Sequence, residues 1–142
     1  MSGILKISEA TVLALHAMVA IASRDHTMVT NAEIASSLNA SEAHLSKVMQ
    51  RLAKAGYVKS IRGPHGGFVL GKDASIISLK NIYELFEGSM ECRECLLDAP
   101  VCGNNCVFGD LMIHTNEIVK EYMTKTSLKA AVEKIKKKEI IS

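Results

Sequence analysis

Residues 30–70 have the sequence TNAEIASSLNASEAHLSKVMQRLAKAGYVKSIRGPHGGFVL, which contains the start and stop signals of two consecutive helices. Thr30 and Glu33 have the spacing of a capping box, in which the threonine hydroxyl and the glutamate carboxylate each accept from a helix-terminal amide. Ser41 offers a second N-cap, and Gly56 ends the helix that follows it. The pattern predicts a short helix, a three-residue turn and a longer helix.

A hairpin is predicted directly after the longer helix. Residues 57–61 and 68–70 are rich in β-branched and aromatic side chains, which favour strands. The segment between them, residues 62–67 (RGPHGG), has the glycines and proline of a tight turn. Helix, turn, helix and hairpin in this order are typical of a winged helix-turn-helix. The predicted fold class is therefore mainly α with a small β-hairpin wing.

The longer helix has the composition of a DNA recognition helix. Its apolar residues recur at spacings of three and four and predict one buried face; they are Leu45, Val48, Met49 and Leu52. Small polar and basic side chains occupy the opposite face, where they can contact base edges and phosphates. These candidates are Ser41, His44, Ser46, Lys47 and Arg51. An ordinary solvated helix face has the same composition, so the helix alone leaves both interpretations open.

The hairpin tip adds two further DNA-binding candidates, Arg62 and His65. A slim, glycine-rich backbone can approach a minor groove closely. The narrow, negative interior of that groove favours an inserted arginine. A plain surface hairpin with Arg62 in water is the alternative interpretation.

Apolar patterns outside this stretch predict further helices. Residues 8–23 are apolar on nearly all sides, with Ser8 as a cap, and predict a core helix. Residues 78–86 predict a short helix and residues 126–138 a last one with a basic end. Between these two, an apolar stripe runs over more than four turns, longer than a lone helix needs, and predicts a dimerisation helix. Its members are Phe108, Leu111, Met112, Thr115, Ile118, Val119, Tyr122 and Met123.

These elements predict three segments along the chain. Residues 1–88 form a winged helix-turn-helix DNA-binding domain. Residues 89–107 form a cysteine-rich loop that binds a cluster. Residues 108–142 form a long C-terminal dimerisation helix and a basic tail.

Composition and net charge do not identify a function, but the sequence pattern indicates the cellular compartment. The chain has 142 residues, of which 48% are hydrophobic, enough for one core. A net charge of +2 does not by itself indicate a nucleic-acid binder, because a basic surface matters more than a basic total. The apolar run at residues 12–22 contains His16 and is too short to span a bilayer, and no cleavable signal pattern precedes it. We therefore expect a cytoplasmic protein.

All four cysteines fall within a window of 15 residues; they are Cys92, Cys95, Cys102 and Cys106. In a reducing compartment, clustered thiols are better explained as ligands or redox groups than as structural disulfides. Thiolates at this density favour zinc, copper(I) or an iron-sulfur cluster. The spacing leaves zinc level with iron-sulfur, with a thiol/disulfide switch behind both.

Residues 52–70 resemble the wing signature of the Rrf2 family of winged-helix transcriptional regulators. Residues 7–18 resemble the family's first helix and residues 126–128 its usual ending, so the resemblance covers nearly the whole chain. It implies a homodimer with crossed long C-terminal helices that binds double-stranded DNA at a pseudo-palindromic operator. It places Ser41, His44, Ser46 and Lys47 at the family's major-groove contacts and Arg62 at its minor-groove arginine.

The resemblance also implies a metal site of the iron-sulfur type. Cluster-binding members of the family place three cysteines between the wing domain and the long helix, a pattern that Cys95, Cys102 and Cys106 match. The implied cofactor is an iron-sulfur cluster, 2Fe–2S in preference to 4Fe–4S, with zinc as the alternative. The fourth ligand is either Cys92 or His16, which lies at a first-helix position that resembles a histidine ligand supplied by the partner subunit. A hydrogen-bonded core histidine is the alternative for His16.

The predicted function is a DNA-binding transcriptional repressor that senses redox state, nitric oxide or iron-sulfur status through its cluster. One alternative is the same DNA-binding dimer with structural zinc or a thiol/disulfide switch. A regulator of a cysteine-synthesis enzyme that acts by contact would leave the clustered cysteines unexplained. A metal or redox enzyme is disfavoured, because the sequence has no dinucleotide-binding glycine loop and no nucleophile and base arrangement.

Overall fold

The structure is a computed structural model that describes residues 7–90, 101, 103 and 105–141. Over these residues the chain forms six helices and one two-stranded antiparallel sheet. The elements in chain order are α1 (Glu9–Ala22), α2 (Asn31–Leu38), α3 (Glu42–Lys54), β1 (Val58–Ile61), β2 (Gly67–Leu70), α4 (Leu79–Glu87), α5 (Leu111–Lys125) and α6 (Leu128–Ile141). The predicted class, mainly α with a small β-hairpin wing, is confirmed.

The helix starts are set by side-chain caps. Thr30 and Glu33 form the predicted capping box: the Glu33 amide donates to Thr30 Oγ1 at 3.1 Å, and the Thr30 amide donates to Glu33 Oε2 at 2.8 Å. Ser8 and Ser41 cap α1 and α3 as predicted. A second capping box, in which Ser78 is the N-cap and Asn81 replaces the usual acid, starts α4. Each cap satisfies amides that a helix end leaves without intrahelical partners.

The core surrounds α1, which packs against α2, α3, α4, α6 and β2. Ala14, Ala17 and Met18 are fully buried on this helix, and the two alanines allow neighbouring elements to approach closely. The apolar side of α3 fills the centre of the same cluster. In the described part of the chain, no helix combines the length and the apolar character that crossing a membrane requires.

The wing is a hairpin fastened to the body of the domain. Strand β1 pairs antiparallel with β2, from Val58 opposite Leu70 to Ile61 opposite Gly67. Val29 adds a short bridge to the hairpin, since its amide and carbonyl exchange hydrogen bonds of 3.1 and 2.8 Å with Phe68. A Cβ atom at Gly66 would lie 2.2 Å from the Ile61 carbonyl oxygen, so the hairpin tip requires glycine at that position.

The C-terminal helices pack back on the earlier helices, α5 on α4 and α6 on α1. The Leu79 amide donates to the Thr126 carbonyl at 3.0 Å, and the Leu128 amide donates to the Ile77 carbonyl at 2.7 Å. Leu128 is fully buried in the core. The division of the chain at residues 88 and 107 stays a prediction, but α6 contributes to the same core as the helix-turn-helix.

Two details of the predicted C-terminal pattern are corrected. Phe108 lies in a turn ahead of α5 and is not part of that helix, which begins at Leu111. The last helix begins at Leu128 and extends to Ile141, beyond the predicted end at residue 138. Between the two helices, Thr126 caps the end of α5 and Ser127 forms an isolated antiparallel bridge with Ser78.

Candidate nucleic-acid interface

The turn between α2 and α3 is fixed by a left-handed residue and by one side-chain hydrogen bond across the turn. Asn39 adopts the left-handed conformation, with φ of 50°, and ends α2. The Asn31 side-chain amide donates to the Glu42 carbonyl at 3.1 Å and so joins the first residue of α2 to the first residue of α3. The sequence pattern did not identify Asn31, because the capping box explains its position without assigning a role to its side chain. These contacts set the angle at which α3 leaves the domain.

Helix α3 has one buried face and one accessible face. Leu45, Met49 and Leu52 are fully buried in the core. On the other side, three of the predicted DNA-binding side chains are exposed and two are half-buried. The exposed ones are Ser41, Lys47 and Arg51, and the half-buried ones are His44 and Ser46. The structure therefore brings these candidates together on one helix, as the sequence predicts, while their contacts with DNA stay a prediction.

The N-terminal end of α3 contacts the N-terminal end of α1. His44 Nδ1 lies 3.8 Å from Glu9 Oε1, a distance that makes an ion pair when the imidazole is protonated. Ser41 Oγ accepts from the His44 amide at 3.3 Å, and a hydroxyl that accepts one hydrogen bond can still donate another. Glu9 was not among the predicted site residues, because nothing in the local pattern indicates that α1 begins beside the recognition helix.

The other end of the accessible face contacts α4. The guanidinium carbon of Arg51 lies 4.9 Å from the centroid of the Phe86 ring. This distance is within the range of an attractive cation–π interaction. Phe86 was also missed at the site, since the sequence indicates only that it belongs to the apolar side of a short helix.

The wing places its polar residues at the tip of the hairpin. Arg62 and His65 are exposed, and the Gly66 amide donates to the Gly63 carbonyl at 2.9 Å across the turn. Exposed lysines and arginines occur on α3 and on the wing; they are Lys47, Arg51, Lys54, Lys59 and Arg62. Such a basic surface is what attraction to a phosphate backbone requires.

The predicted metal ligands are only partly within the described residues. Cys92, Cys95 and Cys102 lie outside them. Cys106 is a half-buried free thiol in a turn ahead of α5, where the Gly109 amide donates to the Cys106 carbonyl at 2.9 Å. Among the residues that the structure describes, no group of three or more His, Cys, Asp and Glu side chains could hold a metal. The ligand set therefore stays a prediction.

His16 lies on the surface of α1. Its side chain is exposed, so the alternative of a core histidine is wrong. The Nδ1 atom is 2.7 Å from the Val12 carbonyl oxygen, a contact in which the ring nitrogen donates. A neutral ring with its proton on Nδ1 carries the lone pair on Nε2, which is the form that ligates a metal.

Helix α5 exposes much of its apolar stripe. Ile118, Leu111 and Tyr122 are 68%, 57% and 51% exposed, whereas Met123 is buried against the domain. Met112, Thr115 and Val119 are half-buried. Exposed apolar side chains grouped on one helix are typical of surfaces at which proteins associate.

The chain matches the Rrf2 family, described as an iron-dependent transcriptional regulator, over residues 7–134. It is 30% identical over 129 residues to the HTH-type transcriptional regulator NsrR of Bacillus licheniformis, which covers 83% of this chain and 88% of that protein. It is 32% identical over 111 residues to the HTH-type transcriptional regulator IscR of Yersinia pseudotuberculosis, which covers 78% of this chain and 67% of that protein.

A solved structure shares the whole architecture. CymR, the global cysteine regulator of B. subtilis, superposes with a TM-score of 0.78 at 31% identity, covering 92% of this chain and 98% of that chain. These relatives are transcriptional regulators and not enzymes. The chain belongs to the Rrf2 family of transcriptional regulators.

Proposed function

We propose that this protein is a cytoplasmic, homodimeric transcriptional repressor that binds a pseudo-palindromic DNA operator. The observation that carries the proposal is the division of α3 into a fully buried apolar face and an accessible polar face with Lys47 and Arg51. The exposed Arg62 at the wing tip adds a second contact element. Membership in a family of transcriptional regulators agrees with this arrangement.

The side chains of this surface divide by role. Four side chains of α3 and its N-cap are the candidates for the major groove, where polar side chains can contact base edges: Ser41, His44, Ser46 and Lys47. Arg51, further along the helix, is the candidate for a phosphate, which fixes the position of the helix on the duplex. Arg62 and His65 are the candidates for the adjacent minor groove.

The proposed dimer forms through α5. Its exposed stripe around Leu111 and Ile118 would become buried against the same helix of a second chain, as a twofold interface requires. Two recognition helices related in this way bind half-sites about 34 Å apart, one turn of the double helix. A shift of a few ångström between the two domains would therefore weaken specific binding.

The proposed sensor is an iron-sulfur cluster held by Cys95, Cys102 and Cys106 and completed by Cys92 or His16. Two observations on the described residues agree with such a site: the Cys106 thiol is partly accessible, and the His16 ring is exposed with its Nδ1 atom engaged. Thiolates and imidazole nitrogen are suitable iron ligands, and the cluster would supply redox-responsive chemistry. The family description, an iron-dependent transcriptional regulator, also supports iron.

The cluster proposal is tested by anaerobic purification followed by an absorbance spectrum and by iron, sulfide and zinc analysis. Visible bands with iron and sulfide are expected, and each of Cys95→Ala, Cys102→Ala and Cys106→Ala should abolish them. Comparing Cys92→Ala with His16→Ala identifies the fourth ligand, since only the true ligand alters the spectrum. Colourless protein with stoichiometric zinc would contradict the cluster proposal and support a structural zinc site.

The DNA-binding proposal is tested by selecting duplexes from a random library and measuring affinity by fluorescence anisotropy at several salt concentrations. We expect an inverted-repeat motif and a steep fall in affinity with salt, because basic side chains displace counterions from phosphates. Lys47→Gln should weaken binding, and Lys137→Gln, which changes an exposed lysine on α6, is the control for loss of a lysine outside the site. Absence of any selected motif would refute the proposal.

A further inference from the structure

The last turn of α4 contacts the recognition helix through an aromatic ring. The Arg51 guanidinium carbon lies 4.9 Å from the Phe86 ring centroid. Phe86 is half-buried and packs against the core, whereas Arg51 is exposed on the accessible face of α3. The Phe86 ring is thus held in place by the core, whereas the long Arg51 side chain would be flexible without this contact.

The same turn is fixed to the start of α1. The Glu87 carboxylate accepts from the Ser8 amide at 3.0 Å and from the hydroxyls of Ser8 and Thr11. Thr11 is fully buried, so this end of α4 is anchored to the interior of the domain. The hydroxyls of Ser8 and Thr11 lower the pKa of Glu87, because they stabilise its charged form.

The turn is also tied to the chain that follows it. Glu84 Oε1 accepts from the Met90 amide at 2.9 Å and lies 3.7 Å from the Lys80 ammonium. Met90 is the last described residue before the segment that contains Cys92. Residues 84–87 therefore contact α1, α3 and the backbone leading into the cysteine segment.

We propose that Phe86 is a positioning residue for DNA binding, which holds the Arg51 guanidinium ready for a phosphate. A guanidinium can stack one face on a ring while its N–H groups, which lie in its plane, donate to phosphate oxygens. A stacked arginine has fewer conformations to lose on binding than one free in water. The inference rests on the proposed function, since it assigns the contact to a DNA-bound arginine.

A double-mutant cycle on DNA affinity tests the proposal. Phe86→Leu should weaken binding to the selected duplex about two- to fivefold, the effect of one exposed cation–π contact. In an Arg51→Ala background the same change should have no further effect. Phe86→Tyr keeps the ring and should retain wild-type affinity. Phe86→Met, which keeps most of the volume without the ring, replaces Phe86→Leu if the latter does not fold by circular dichroism.

A matched contact elsewhere provides the control. The Lys72 ammonium lies 4.5 Å from the Tyr57 ring centroid, so Tyr57→Leu removes an aromatic ring from beneath a cation outside the accessible face of α3. The effect of Tyr57→Leu on DNA affinity should be the same in the wild-type and the Arg51→Ala backgrounds. The salt dependence of binding should become shallower in Arg51→Ala, which removes a phosphate contact, and stay unchanged in Phe86→Leu and in Tyr57→Leu, which remove no charge.

The outcomes separate this inference from the proposed function. An equal loss of affinity from Phe86→Leu in both Arg51 backgrounds, or tighter binding, would overturn the positioning role. Affinity that falls in Arg51→Ala and is unchanged in Phe86→Leu would also overturn it, while the DNA-binding proposal would stand. If the wild-type protein selects no duplex, that result would contradict the proposed DNA-binding function itself.

Discussion

Helices α3 and α5 have similar apolar stripes and opposite environments. In α3, Leu45, Met49 and Leu52 are fully buried within the chain. In α5, Leu111 and Ile118 remain more than half exposed. The same side-chain pattern therefore stabilises the fold in one helix and stays available for association in the other. Periodicity therefore identifies an apolar face, while only tertiary packing determines what covers it.

The largest expected effect is loss of stability from truncation on α3. Leu45→Ala removes a fully buried side chain and leaves a cavity, so we expect the free energy of unfolding to fall by about 2–5 kcal/mol. Leu111→Ala is the matched change on α5 and should lower the stability of the separated protomer by much less. Urea denaturation over a range of protein concentrations measures both. Equal losses in dilute protein would contradict the distinction between the two helices.

The next effect is dissociation of the dimer by a charge on α5. Ile118→Glu places a carboxylate where the proposed interface is apolar, which should weaken dimerisation by about 2 kcal/mol or more, as expected for an interface hot spot. Sedimentation velocity over a concentration series measures the change. Glu117→Gln, an exposed polar change at the neighbouring position, is the control. A dimer that survives Ile118→Glu unchanged would exclude this part of α5 from the interface.

A smaller effect is expected on DNA affinity from the wing. Arg62→Ala should weaken specific binding by about 1–3 kcal/mol if the guanidinium occupies a groove. The protomer should keep its stability, because Arg62 is exposed at the hairpin tip. Fluorescence anisotropy with the selected duplex measures the DNA affinity, and thermal denaturation measures the stability of the protomer. If the wild type and the variant bind DNA with the same affinity, the wing has no role in DNA binding and Arg62 is a solvated surface residue.

The smallest effect concerns acid stability at the junction of α1 and α4. Hydrogen bonds from Ser8 and Thr11 lower the pKa of Glu87, so the folded state holds the charged form more strongly than the unfolded chain does. The Glu87 carboxylate contributes fully to folding stability above the ordinary glutamate pKa of about 4.3. This contribution is lost as the pH falls through the lower pKa of Glu87 in the folded state. Glu87→Gln should therefore flatten the fall in melting temperature below about pH 4.3. Parallel melting curves for the wild type and the variant across that range would contradict the assignment.

The helix-turn-helix and the wing could be predicted because their signals are local. Thr30 with Glu33, Ser41 and the glycine-rich tip each act on neighbouring backbone, so their chemistry can be recognised from spacing alone. The same holds for Ser8 at the start of α1. Family resemblance extended this to the whole chain.

The contacts between distant segments could not be predicted in this way. Glu9 beside His44, and Phe86 beside Arg51, join residues from different helices whose relative placement depends on the packing of the complete domain. The surface position of His16 depends on the same packing, and the sequence left a core position open as the alternative to a cluster ligand. The roles of the cysteines and of the DNA-facing side chains stay predictions.

The number of chains bound to one duplex shows whether α5 joins two recognition helices on DNA. Sedimentation equilibrium of the wild type with a duplex bearing the selected inverted repeat should give two chains per duplex. In Ile118→Glu the same duplex should be bound with much lower affinity, because the second recognition helix is no longer held at the matching half-site. A single wild-type chain per duplex, bound as tightly as its Ile118→Glu variant, would contradict the account of α5 as the dimerisation helix of a DNA-binding regulator.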